Sequence, residues 1–206
     1  MQNRDYNFSL FLSYILHPLL IPTLVTTALM MRPDLYSIVL PINMKLWITG
    51  VVFAFTVVIP AASVLILLKF KAIQSHQLHE RGERTLPLLI ASSSFLALLY
   101  SLKSAGLPPV FLYVLYSAAF ALLTGLLINL AYKISLHTLG WGALAATLTG
   151  ISIRTGLPML TFITVSIMLS GFAGYARLKQ NAHNQTQVYL GYVAGVSIIL
   201  LISYFG

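Results

Sequence analysis

Seven stretches of the chain are almost continuously apolar: residues 8 to 31, 44 to 70, 86 to 102, 107 to 131, 138 to 154, 157 to 176 and 187 to 205. Each is close to the ~20 residues that a helix needs to cross ~30 Å of hydrocarbon. None shows the strict apolar and polar alternation of a membrane barrel strand. The pattern predicts an all-α integral membrane protein, a single polytopic bundle of six or seven transmembrane helices spanning residues 1 to 206 as one domain. Turn signals fall in the gaps, at Arg32-Pro33-Asp34 and Pro41, at Gly106-Leu107-Pro108-Pro109 and at Arg154-Thr155-Gly156-Leu157-Pro158. The first run, Phe8 to Met31, is longer than a signal-peptide core and is interrupted by Pro18 and Pro22, so it is expected in the mature protein. Small residues at Gly171 and Gly174, and at Gly191 and Gly195, predict close approach of the last two helices.

Composition agrees with a membrane-embedded chain: 58% of residues are apolar, 8% are charged, and the mean hydropathy is +0.89. The formal charge of +8 comes from twelve Lys and Arg against four acids, Asp5, Asp34, Glu80 and Glu83. Bases scattered beside apolar runs have the distribution of headgroup anchors, and they form no stripe for nucleic acid. Membrane lipids are therefore the expected partners, and no nucleic acid is. With no cysteine, the chain has neither disulfides nor thiolate nucleophiles or metal ligands.

Parity along the chain sorts the polar residues. Connections 71 to 85, 132 to 137 and 177 to 186 are each separated from the next by two apolar segments, so full crossing by every segment puts all three on one face. They carry His76, His79, His137 and His183, the acids Glu80 and Glu83, and Arg81, Arg84, Lys133, Arg177 and Lys179. The opposite connections hold mainly Arg32, Asp34, Lys45, Lys103 and Arg154. Four widely placed acids cannot build the carboxylate clusters that hold magnesium in metal-dependent lipid enzymes. His76-x-x-His79 offers two zinc-ligand nitrogens but no third protein ligand, so no metal or other cofactor is expected. Arginine and histidine without metal suit a phosphate ester: guanidinium forks hold the oxygens, one histidine attacks phosphorus, and another protonates the leaving oxygen.

Three segments carry a resemblance. Arg84 in "ERTLP", "ISLH" at 134 to 137 and "ARLKQNAHNQTQ" at 176 to 187 are similar to the three motifs of the type 2 phosphatidic acid phosphatases and their haloperoxidase relatives, the PAP2 superfamily. That family's pattern is Lys-x(6)-Arg-Pro, Pro-Ser-Gly-His and Ser-Arg-x(5)-His-x(3)-Asp, and the likeness extends from about residue 70 to the C-terminus. The resemblance implies a membrane-embedded, metal-independent phosphatase of a phospholipid or isoprenoid phosphate, working through a phosphohistidine, as in a bacterial inner membrane. By it, His183 is the nucleophile, His137 the leaving-group acid, and Arg84, Arg177 and Ser135 the phosphate cradle.

The chain also departs from the pattern. Gln77 stands at the motif lysine, for which Arg81 or Lys133 could substitute as a cation, and the proline after Arg84 is displaced to Pro87. Ile134, Leu136 and Ala176 replace the motif's proline, glycine and serine, and Gln187 replaces the aspartate that would orient His183. On a helix starting near Asn184, Gln187 shares a face with His183 and could accept from a ring N–H, preserving orientation without charge. Each residue also has a plainer role available: Arg177, Lys179 and Lys133 as snorkelling anchors, Arg84 in a loop ion pair, His137 and His183 as interfacial residues. His17, before Pro18, is a helix break facing the bundle or a pocket residue. Three function classes stay open: a phosphatase, a relative that binds a lipid phosphate or a partner protein without turnover, and a lipid transporter.

Overall fold

The computed structural model describes residues 2–32, 40–75, 78 and 80–205. Among them the regular structure is entirely helical. In chain order the helices are α1 (Gln2–Ile15), α2 (Ile21–Met30), α3 (Ile42–Phe53), α4 (Ile59–Lys69), α5 (Arg81–Leu102), α6 (Pro109–Ala131), α7 (Leu136–Thr155), α8 (Leu160–Lys179) and α9 (Gln185–Phe205). Among the described residues six stretches are long and apolar enough to cross a membrane: Arg4–Met30, Ile42–Lys69, Arg81–Leu102, Pro109–Ala131, Leu160–Lys179 and Gln185–Tyr204. The protein is an all-α polytopic membrane protein. By their contacts the helices form two compact units, Met1–Pro18 with Phe120–Gly206, and Leu19–Ala119.

In the first unit α7 lies against both α8 and α9, and α1 lies against α8. From Trp141 to Leu148 every residue of α7 is buried. Its glycines, alanines and threonines make it less apolar than its neighbours and slim enough to be enclosed by them. The close approach is between α7 and α9. A Cβ on Gly191 would stand 2.5 Å from the Ser135 carbonyl oxygen, and one on Gly195 would overlap the carbonyl oxygen of Leu139. The Gly191-x-x-x-Gly195 spacing thus serves contact with α7, not the pairing of the last two helices expected from sequence. Gly174 does approach α9, through the Val188 side chain, while a Cβ on Gly171 would meet nothing. Exposed faces of these helices are apolar, as lipid contact requires: α1 buries Ser9 and Ser13 and exposes Phe8, Phe11, Tyr14 and Ile15.

Proline shapes both units through the hydrogen bonds it removes. Pro18 has no N–H for the Tyr14 carbonyl, so His17 N–H bonds Tyr14 instead (3.3 Å) and the Ser13 carbonyl loses its helical donor. A short 3₁₀ turn, Pro18–Leu20, then interrupts the first apolar run.

In the second unit the run from Ile42 contains a π-helical stretch, Ala54–Val58, which ends two residues before Pro60. Ile59 N–H there reaches back to the Ala54 carbonyl. The Phe55 carbonyl would next be served by residue 60, which is proline. Its donor is instead the Ser94 hydroxyl of α5, at 2.6 Å. Buried Thr23 and Thr56 are likewise paired through their hydroxyls (3.2 Å).

Ser94→Ala is expected to destabilise the protein by roughly 1 kcal/mol, since it leaves a carbonyl without a donor at membrane depth. Pro60→Ala restores a backbone donor for the Phe55 carbonyl, so the cost of Ser94→Ala should shrink toward zero in that background. A double-mutant cycle by unfolding in detergent micelles checks this, and purely additive effects would contradict it.

Candidate functional site

The polar residues of the first unit gather where α7 and α9 begin and α8 ends. Helix α8 stops through Gln180 and Asn181, the latter in the left-handed region (φ 53°), where asparagine is better tolerated than most residues. Ala182 N–H returns to the Arg177 carbonyl at 3.1 Å, turning the chain so that His183 precedes α9. Asn184 then caps α9. Its side-chain oxygen accepts from Gln187 N–H (2.9 Å), and Gln187 Oε1 accepts from Asn184 N–H (3.3 Å). This reciprocal pair is a capping box, with Asn-x-x-Gln in place of the usual Ser or Thr and Glu.

Gln187 has a second task in the same position. His183 Nδ1 lies 2.9 Å from its Oε1. Because the Asn184 N–H donates to the same atom, that atom is the amide oxygen, and an amide oxygen only accepts. His183 therefore donates from Nδ1, and in its neutral form carries its lone pair on Nε2. The imidazole is buried. Ser135, fully buried, uses its hydroxyl to cap α7 by accepting from Thr138 N–H (3.4 Å), while its own N–H donates to the Gln187 carbonyl (3.0 Å). Thr138 Oγ1 donates to the Val188 carbonyl at 2.8 Å, so the starts of α7 and α9 are tied by two bonds.

His137, in the first turn of α7, reaches α1. Its Nε2 lies 3.1 Å from the Ser13 carbonyl, the group that Pro18 deprives of a helical donor. A carbonyl cannot donate, so this bond is made by the tautomer with its proton on Nε2; the Ser13 hydroxyl lies 3.5 Å from the same nitrogen. Trp141, one turn on, donates its indole N–H to the Leu16 carbonyl at 3.0 Å. His17 meets His137 edge-on, with ring centroids 5.2 Å apart. His17, His183 and Arg177 all lie close enough to His137 for their charges to act on it.

Arg177, near the end of α8, donates through Nη1 to Ser13 Oγ and to Gln180 Oε1, both at 3.0 Å. Gln180 in turn donates to the Ser9 carbonyl at 2.7 Å. Among the described residues Arg177 has no carboxylate partner, and its buried Nε has no hydrogen-bond partner. An unsatisfied buried donor costs ~1–3 kcal/mol, and more when it is charged. The exposed pair Lys179 and Asp5, 4.0 Å apart, adds little.

Of the residues singled out from sequence, His137, Arg177, His183, Gln187 and Ser135 thus gather at one end of the first unit, with Lys133 in the connection before α7. Arg84 and Arg81 belong to the second unit. There Arg84 is buried and donates from Nε to the Leu78 carbonyl at 2.7 Å, and Arg81 is exposed at the start of α5. Glu83 accepts from Gln74 N–H at 2.8 Å. His76, Gln77, His79 and Asp34 lie outside the described residues. Among the described residues no group of three or more His, Cys, Asp or Glu side chains could hold a metal ion.

Sequence reading missed Ser9, Ser13 and Gln180. A signal was present in the spacing Asp5, Ser9, Ser13, His17, which places a polar residue at every fourth position into and through the apolar stretch from Phe8 to Leu16. No family model matches the chain, and no curated protein or solved structure matches it.

Gln187→Leu keeps the side chain's bulk and removes its oxygen. In ¹⁵N NMR at a pH where imidazole is neutral, native His183 should be protonated on Nδ1, and the variant should lose that preference. Loss of the reciprocal bond from the Asn184 N–H should also lower stability by roughly 1 kcal/mol. An unchanged His183 tautomer would show that Gln187 does not set it.

Proposed function

We propose that the histidine and arginine end of the first unit binds the phosphate group of a membrane lipid, a phospholipid or isoprenoid phosphate, and hydrolyses it through a phosphohistidine. The observation that carries this reading is Arg177: among the described residues its guanidinium is held by neutral side chains alone, and its buried Nε has no partner. A partly buried cation with a buried, unpaired donor is costly unless an anion accompanies it, and a tetrahedral oxyanion matches the guanidinium fork. His183 fits the nucleophile, because Gln187 leaves the lone pair on Nε2. Attack by Nε2 on phosphorus breaks the bond to the leaving oxygen, which takes a proton from a neighbouring imidazolium and leaves that ring neutral. Water then gives a proton to that ring as it attacks the phosphohistidine, releasing inorganic phosphate and freeing Nε2. In this reading His137 or His17 supplies the proton, and the protein works in a membrane such as a bacterial inner membrane.

A second reading has its own support. His137 donates its proton to the Ser13 carbonyl, and Gln187 orients His183 without offering a charge to offset the imidazolium or phosphohistidine. Both features suit a protein that binds a lipid phosphate without turning it over.

Phosphate release from lipid phosphates in mixed micelles separates the two. Hydrolysis is expected to survive chelators, to be blocked by vanadate and to fall to background in His183→Ala. Unchanged release from His183→Ala removes the phosphohistidine mechanism. Vanadate binding with no release by the native protein establishes the second reading.

Gln187→Asp should raise turnover if its shorter side chain still reaches His183, by less than the ~10⁴ that separates aspartate from asparagine in a serine-protease triad. Turnover that falls sharply in both Gln187→Asp and Gln187→Glu would show that the neutral amide is itself required.

A further inference from the structure

Ser13 and Gln180 both act on one atom of Arg177, and which atom it is has a chemical meaning. A guanidinium offers an oxyanion two forks, one formed by Nη1 and Nη2 and the other by Nε and Nη2. Ser13 Oγ and Gln180 Oε1 each accept from Nη1 at 3.0 Å, so the first fork is already engaged. Nε is buried and without a partner among the described residues. The fork left for two oxygens of one anion is therefore the edge formed by Nε and Nη2.

Both acceptors are themselves fixed by α1. Ser13 is buried on its inward face, and Gln180 is held by the Ser9 carbonyl at 2.7 Å. The helix break before Pro18 adds a second restraint, since the freed Ser13 carbonyl takes the His137 ring at 3.1 Å. One residue of α1 thus sets the attitude of both the guanidinium and an imidazole. We propose that Ser13 and Gln180 are positioning residues: they pin Arg177 through Nη1 and turn its Nε and Nη2 edge into the binding fork for a tetrahedral phosphate group. Neither contact supplies charge. Each removes rotational freedom that the long side chain would otherwise lose on binding. The assignment rests on the anion-binding reading of the site.

Titration of the purified full-length protein in micelles with orthovanadate, followed by ⁵¹V NMR, tests it. Ser13→Ala and Gln180→Ala should each weaken vanadate binding about tenfold. Ser13→Thr, which keeps the hydroxyl, should bind close to native. Arg177→Lys should bind more weakly than either alanine variant, because a lysine ammonium has no planar fork. Ser152→Ala removes a hydroxyl that donates to the Leu157 carbonyl at the other end of α7, and should leave affinity unchanged.

Native affinity in both Ser13→Ala and Gln180→Ala overturns the assignment. So does a Ser13→Thr protein as weak as Ser13→Ala, since packing of α1 and not its hydroxyl would then be what matters. A native protein that binds no vanadate overturns the anion site itself, and the positioning role with it.

Discussion

Inside hydrocarbon a backbone carbonyl has no water to fall back on, and each proline in a membrane helix deprives one of its donor. Much of the polar chemistry of this protein follows from that constraint. Pro18 releases the Ser13 carbonyl and His137 takes it; Trp141 serves the Leu16 carbonyl beside the same break. Pro60 leaves the Phe55 carbonyl to Ser94. The side chains that repair the backbone are strong donors placed where apolar residues would otherwise sit. One of them, His137, is also a candidate for chemistry.

This sharing explains how much was legible in the sequence. Helix positions follow from runs of apolar residues, and their ends from Gly156, the Pro108-Pro109 pair and the Pro18 break, because these signals are local. His137, Arg177 and His183 come together at one end of the first unit because α7 and α8 run out and back between them. The α7 and α9 contact was half visible: Gly191 and Gly195 announce a close approach but cannot name the helix that makes it. The capping box at Asn184 and Gln187 was written in the sequence too, in residue types less usual than those of the standard motif. Least legible was the inward face of α1, where serines look like minor interruptions of an apolar run until a guanidinium is found against one of them.

Gln187 shows how one side chain can serve two local needs. An aspartate at that position could orient a histidine, but its shorter side chain is less suited to reach back to the Asn184 N–H. The glutamine does both with one oxygen. Helix initiation and imidazole tautomer are thereby coupled through a single side chain. Arg177 has a similar economy: the turn that ends α8 passes through its carbonyl, while its guanidinium is held by α1.

The glycine contact between α7 and α9 bears on how such a site behaves in different bilayers. Helices that touch through intervening side chains can slide or tilt against one another when the hydrocarbon becomes thicker or thinner, at a modest cost per ångström of mismatch. At Gly191 and Gly195 the α9 backbone rests directly on that of α7, leaving no side chain to take up a relative shift. His183 and Ser135, at the heads of these two helices, consequently share one rigid frame. Helix α1 is joined to that frame through side chains at Ser13, His137 and Gln180. Changes in lipid chain length should therefore be felt first at Arg177 and its α1 partners, while the pairing of His183 with Gln187 rides unchanged on α9.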